Sequence, residues 1–84
     1  MSAKPSVGRA VHYVLERPDR DPVHRPAVVT QVWTPEVVNL MVTLDGPNDI
    51  GTNEFGAAVN QVWRGTVMFD ESGKPGTWHY PEAV

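Results

Sequence analysis

Prolines and glycines decide most of what this chain can become. Eight prolines and seven glycines are spread over 84 residues, so a long helix is interrupted wherever it would start. The stretches between these breakers are short, rich in β-branched residues, and alternate with period two, the pattern of half-buried strands. Gly8–Leu15 (GRAVHYVL) sets Val11, Tyr13 and Leu15 on one face and His12 and Val14 on the other. Ala27–Trp33 (AVVTQVW) is a second strand. Val37–Leu44 (VVNLMVTL) is a third, with Val38, Leu40, Val42 and Leu44 sharing a side. Only Thr34-Pro35-Glu36 separates these two, which predicts an antiparallel hairpin. A fourth strand is expected over Val62–Phe69, with room for a short helical turn in Ala57–Gln61 just before it. A short fifth strand, Thr77–Tyr80, stops at Pro81.

The connections are polar. Glu16–Pro26 carries three prolines among many charges and reads as a long surface loop. Asp45–Gly56 is dense in Gly, Asn, Asp and Pro, and Asp70–Gly76 is a turn. A long first loop followed by a three-strand meander predicts an all-β chain folded as a small, five-stranded SH3-like barrel. An OB-like barrel is the competitor, but it wants more chain and a longer helix before its fourth strand. The expected organisation is a flexible N-terminal arm at 1–7 and a single barrel domain at 8–84. The words AVVTQVW and AAVNQVW echo one another, which in strands this short is read as coincidence.

A domain of this size has a thin core. With no cysteine, neither disulfides nor thiolate metal sites supplement it, so a homo-oligomer is expected to help bury its apolar surface. A formal charge of −3 disfavours nucleic acid as a partner, because such binding needs a cationic surface. Arg9, Arg17, Arg20 and Arg25 are interleaved with Glu16, Asp19 and Asp21 and read as a solvated mixed-charge surface. No stretch reaches the roughly 18–20 apolar residues of a transmembrane helix, so no membrane partner is expected. Met1–Val7 lacks an apolar signal-peptide core, which predicts a cytoplasmic or virion-packaged protein.

Four chemical readings compete. His12, His24 and His79 are the available imidazoles, yet their separation lacks the H-x₃₋₅-H spacing of familiar zinc sites. The expectation is therefore no metal and no cofactor. Asp45–Glu54 offers hard oxygen ligands but departs from the calcium-loop pattern at Pro47, and turn chemistry accounts for its residues. There is no cysteine nucleophile, G-x-S-x-G, H-E-x-x-H or phosphate-cradling glycine run, so no catalytic residue is assigned and no enzyme is expected. The fourth reading is a recognition surface. Alternation assigns Tyr13 to the core, and likewise Trp63 with Val67 and Phe69. Trp78 or Tyr80 from the last strand, with His24 and Arg25 from the first loop, would then line a groove; the competing reading is that Trp78 and Tyr80 simply cap the core. Such a groove would stack a ring and take a phosphate or carboxylate on Arg25.

GRAVHYVL at 8–15, HRPAVV at 24–29, VNLMVTLDGPND at 38–49 and PGTWHYPE at 75–82 together resemble a family of small tailed-bacteriophage and prophage proteins. These show G-R-x-V-H-Y-V-L, H-R-P-A, V-N-L-x-V-x-x-D-G and P-G-T-W-H-x-P-E in the same order. Thr52–Arg64 fits least well. The resemblance implies phage origin and carries over no catalytic residue. The expected function is a non-enzymatic structural or accessory protein of the virion, such as a capsid decoration or head–tail protein, contacting other phage structural proteins. The alternative is a host-directed protein in the host cytoplasm, which binds a host defence factor or sequesters a small nucleotide signal.

Overall fold

A computed structural model describes residues 5–17, 21–45, 49 and 61–81. Five strands follow in chain order: β1 (Ala10–Leu15), β2 (Val23–Val32), β3 (Val37–Thr43), β4 (Gln61–Phe69) and β5 (Thr77–His79). They close in that order into an SH3-like barrel. Neighbours from β1 to β4 are antiparallel, and β5 seals the sheet by lying antiparallel to β1 and parallel to β4. Of the helical turn expected over Ala57–Gln61, residues 57–60 lie outside the described residues, and Gln61 opens β4.

The core follows the alternation of the sequence. Val11, Tyr13 and Leu15 meet Ala27 and Val29, then Val38, Leu40, Val42 and Leu44, with Val67 and Trp78 closing the ring. Trp78 is 0% exposed and meets Phe69 and Tyr80 edge-on, at ring separations of 4.9 and 5.2 Å. Its indole Nε1 donates to the carbonyl of Glu36 at 3.0 Å, and the Phe69 N–H donates to the same oxygen at 2.9 Å. A buried indole N–H needs such a partner. Before β1, Pro5 is buried and the Gly8 N–H donates to the Val29 carbonyl at 2.8 Å.

Two expectations are corrected. The stretch Glu16–Pro26 is not loop throughout, because β2 starts at Val23 and includes His24, Arg25 and Pro26. Pro26 is tolerated there because this end of β2 pairs with β1 alone; the ladder to β3 begins at Ala27. Trp63, expected in the core, is 55% exposed. The cause is a bulge in β4. Val38 faces Val67 and Leu40 faces Arg64, so Gly65 and Thr66 together oppose Asn39. One extra residue reverses the alternation, so Val67 points inward while Trp63 points out.

The bulge has its own fastening. Thr66 adopts φ 54°, the left-handed region that a β-branched residue avoids. Its N–H donates to Asn39 Oδ1 at 2.8 Å, and the same oxygen accepts Trp33 Nε1 at 3.0 Å. Trp63 lies over Gly65 so closely that a Cβ at Gly65 would fall 2.5 Å from Trp63 Cη2. With any other residue at 65 the indole would have to move from this seat. The two tryptophans therefore differ in kind. Trp78→Ala is expected to cost about 3–5 kcal/mol, the range for emptying an aromatic site in a core. Trp63→Ala is expected to cost less than about 1 kcal/mol. Urea unfolding midpoints of the two variants check this.

Candidate functional site

Strand register brings three distant histidines to one place. His12 on β1 is the direct cross-strand partner of His79 on β5. His24 on β2 faces Val14, two residues further along β1 on the same side as His12. All three point away from the core. Part of this patch is nonetheless covered: Val14 is only 1% exposed although it lies outside the core cluster. The β4–β5 turn passes over it. The Gly76 N–H donates to the Val14 carbonyl at 2.8 Å, and a Cβ at Gly73 would come 3.8 Å from His24 Nε2. Gly73 and Gly76 both have positive φ, 83° and 82°, which lets the turn fold back. Asp70 holds its start by accepting from the N–H and hydroxyl of Ser72 at 2.8 and 2.6 Å.

The three imidazoles converge edge to face rather than stacking. Ring separations are 6.3 Å for His12–His24, 5.7 Å for His12–His79 and 4.8 Å for His24–His79, with interplanar angles of 63°, 82° and 66°. One ring nitrogen from each lies within 4.8 Å of the other two. His79 is buried, with Nδ1 enclosed, His12 is half-buried and His24 is exposed. Beside them, Glu71, His79, Tyr80 and Pro81 line a shallow depression of about 290 Å³. The H-x₃₋₅-H criterion passed over this cluster because its members come from three strands. The signal available in the sequence was parity: His12 and His79 sit on the polar faces of strands whose other faces enter the core.

The residues expected to form a groove are distributed differently. His24 and Arg25 are successive residues of β2 and point to opposite faces. His24 joins the histidine cluster. Arg25 is on the Tyr13 side and is held by Asp49, with Nε to Oδ2 at 2.7 Å and Nη2 to Oδ1 at 2.8 Å. Trp78 belongs to the core, and Tyr80 is half-buried against Phe69 and Trp78, with the Arg9 guanidinium 5.2 Å from its ring centre. Among the described residues, these four side chains are not brought to one surface.

Asp49 itself is buried. It also accepts the Asp45 N–H at 2.7 Å and has Arg17 Nη1 at 4.0 Å. Hydrogen bonding from Arg25 holds its carboxyl below the usual range, outweighing the opposing effect of burial. Asp45 and Asp49 are the described members of the calcium-loop reading, and here they act as a strand-to-loop latch; residues 46–48 and 50–54 lie outside the described residues.

A different surface lies on the outer face of β2, β3 and β4. Val28, Met41 and Trp63 are cross-strand partners in one row across β2, β3 and β4, and all point outward. Trp33 and Met68 extend the exposed apolar set, at 60% and 53% exposure. The Asn39 bond and the Gly65 seat hold the two indoles in place.

Against known proteins, the chain matches no family model, no curated protein and no solved structure.

The latch is expected to be pH-sensitive. A carboxyl whose folded pKa is depressed stabilises the fold above its unfolded value, near 3.9, and loses that contribution as pH falls through the folded pKa. Asp49→Asn is expected to cost about 1–3 kcal/mol at pH 7, since it leaves the partly buried Arg25 without its counter-charge. The difference from the parent chain should begin to shrink as pH falls below the unfolded value, near 3.9, and close only below the depressed folded pKa, where the parent carboxyl also becomes neutral in the fold. Urea unfolding of both chains at pH 7 and pH 3 measures it.

Proposed function

We propose that the protein is a non-enzymatic, bacteriophage-encoded binding barrel that serves as a structural or accessory component of the virion. Its working surface, on this reading, is the outer face of β2, β3 and β4. The observation that carries the proposal is the contiguous row of Val28, Met41 and Trp63, flanked by Trp33 and Met68. Single apolar residues on a surface are ordinary, whereas a set of large ones side by side marks a contact surface. Aromatic anchors already fixed in place lose little freedom on docking, and this favours them as centres of protein–protein contact. The phage assignment rests on the sequence words GRAVHYVL, HRPAVV, VNLMVTLDGPND and PGTWHYPE.

The same geometry favours a protein partner over capture of a small nucleotide. Trp78 is committed to the core and the Arg25 fork to Asp49, so neither is presented to a ligand. The occupant proposed for the outer face is another structural protein of the particle.

The test is to purify particles of the encoding phage and examine them by mass spectrometry. The protein is expected at a fixed copy number per particle. A phage carrying Trp33→Ser and Trp63→Ser, with the purified variant folded by circular dichroism, is expected to yield particles depleted of it at least about tenfold, the effect of losing about 1.4 kcal/mol of binding. Complete absence of the parent protein from particles overturns the virion role and leaves the host-directed alternative. Parent-like incorporation of the double variant overturns the surface assignment.

A further inference from the structure

We propose that His12, His24 and His79 form a three-histidine site for a divalent transition metal of the zinc class, which cross-links β1, β2 and β5 where the barrel closes. The donor set is three imidazoles, which suit Zn(II), Ni(II) and Cu(II) and not the oxygen-seeking Ca(II) or Mg(II). The dimensions fit. With Zn–N near 2.0–2.1 Å and tetrahedral angles, ring centres of three histidine ligands stand about 5 Å apart; here they are 4.8, 5.7 and 6.3 Å apart. Convergence of the donors is shown by their nitrogens, one from each ring, which gather in one place. Nitrogens now within 4.8 Å of one another would have to approach to about 3.4 Å around zinc. His24 is the exposed member and His79 the buried one, so the adjustment falls first on His24.

The surroundings also suit a bound ion. The β4–β5 turn runs beside the cluster, and the depression lined by Glu71, His79, Tyr80 and Pro81 adjoins it. Three protein ligands leave a fourth position for water or a carboxylate. The strands joined are those of the closure: β5 has three residues and pairs with β1 at only two, one of them His79 opposite His12. Metal bound there would tie β5 to β1 and β2 at once. This inference is independent of what the β2–β3–β4 face contacts.

The experiment uses the full chain, stripped with EDTA and titrated with Zn(II) against a chromophoric chelator. One equivalent is expected to bind, with a dissociation constant of about a micromolar or tighter, and to raise the thermal unfolding midpoint. Co(II) is expected to give the intense visible absorption of a tetrahedral site, and Ca(II) and Mg(II) no response. His24→Ala is expected to weaken Zn(II) affinity at least about 100-fold, the upper end of what even an outer-sphere partner is worth, and to abolish the thermal shift. His12→Gln, with the fold checked by circular dichroism, serves as the second variant. Absence of stoichiometric Zn(II) binding by the parent chain overturns the proposal and leaves the three rings as an edge-packed cluster. Parent-like affinity in both folded variants overturns it equally, by placing the metal elsewhere.

Discussion

The barrel depends on the seating of one side chain. β5 has three residues, too few for its ladder alone to hold it, and it bonds to neighbours at only two positions on each side. Trp78 supplies what the ladder lacks. It fills the centre of the core, meets Phe69 and Tyr80, and bonds through its indole to the Glu36 carbonyl. That carbonyl also takes the Phe69 N–H, so the β2–β3 turn, the end of β4 and β5 converge on one oxygen. The alternation of a strand then sends the next residue, His79, to the opposite face, where it meets His12 and His24. Sealing the core and assembling the histidine cluster are therefore one event seen from two sides of a strand.

On the outer face of β2, β3 and β4, local departures from regularity determine what is displayed. A regular β4 would carry Trp63 inward with Val67 and Phe69. The extra residue at Gly65–Thr66 turns it out, the missing side chain of Gly65 gives it a seat, and Asn39 fixes both the bulge and Trp33 with a single oxygen. Thr66 bears a left-handed backbone that costs on the order of 1–3 kcal/mol. The apolar row Val28–Met41–Trp63 is presented at that cost.

Much of the fold was legible because breakers and alternation agree. Val38, Leu40 and Val42 are buried as their spacing predicts, and the Thr34–Glu36 connection makes the expected hairpin. What was illegible depends on pairing at a distance. Whether Pro26 can sit in a strand depends on where β3 stops, and the inward or outward sense of Trp63 depends on a bulge opposite Asn39. Gly65 within a strand was the available hint of that bulge. For the candidate site, each histidine was visible and their convergence was not, since proximity between His12 and His79 follows only from which strands close the barrel. GRAVHYVL, HRPAVV and PGTWHYPE each hold one of the three. His24, Arg25, Trp78 and Tyr80 are not gathered at one surface, because adjacent strand residues face opposite ways and because Arg25 has an internal partner, Asp49.

The parallel β4–β5 pairing and the β1–β5 seam also set an order of events during synthesis. β1 emerges first and must wait for the last strand before its second edge is covered, so the seam is the most sequence-distant contact in the barrel and the slowest to find. Until Trp78 has been added, a nascent chain has a β1–β2–β3–β4 meander with an open mouth where the indole belongs. Its two unpaired edges, on β1 and β4, are in that interval the part of the molecule most exposed to capture by another chain.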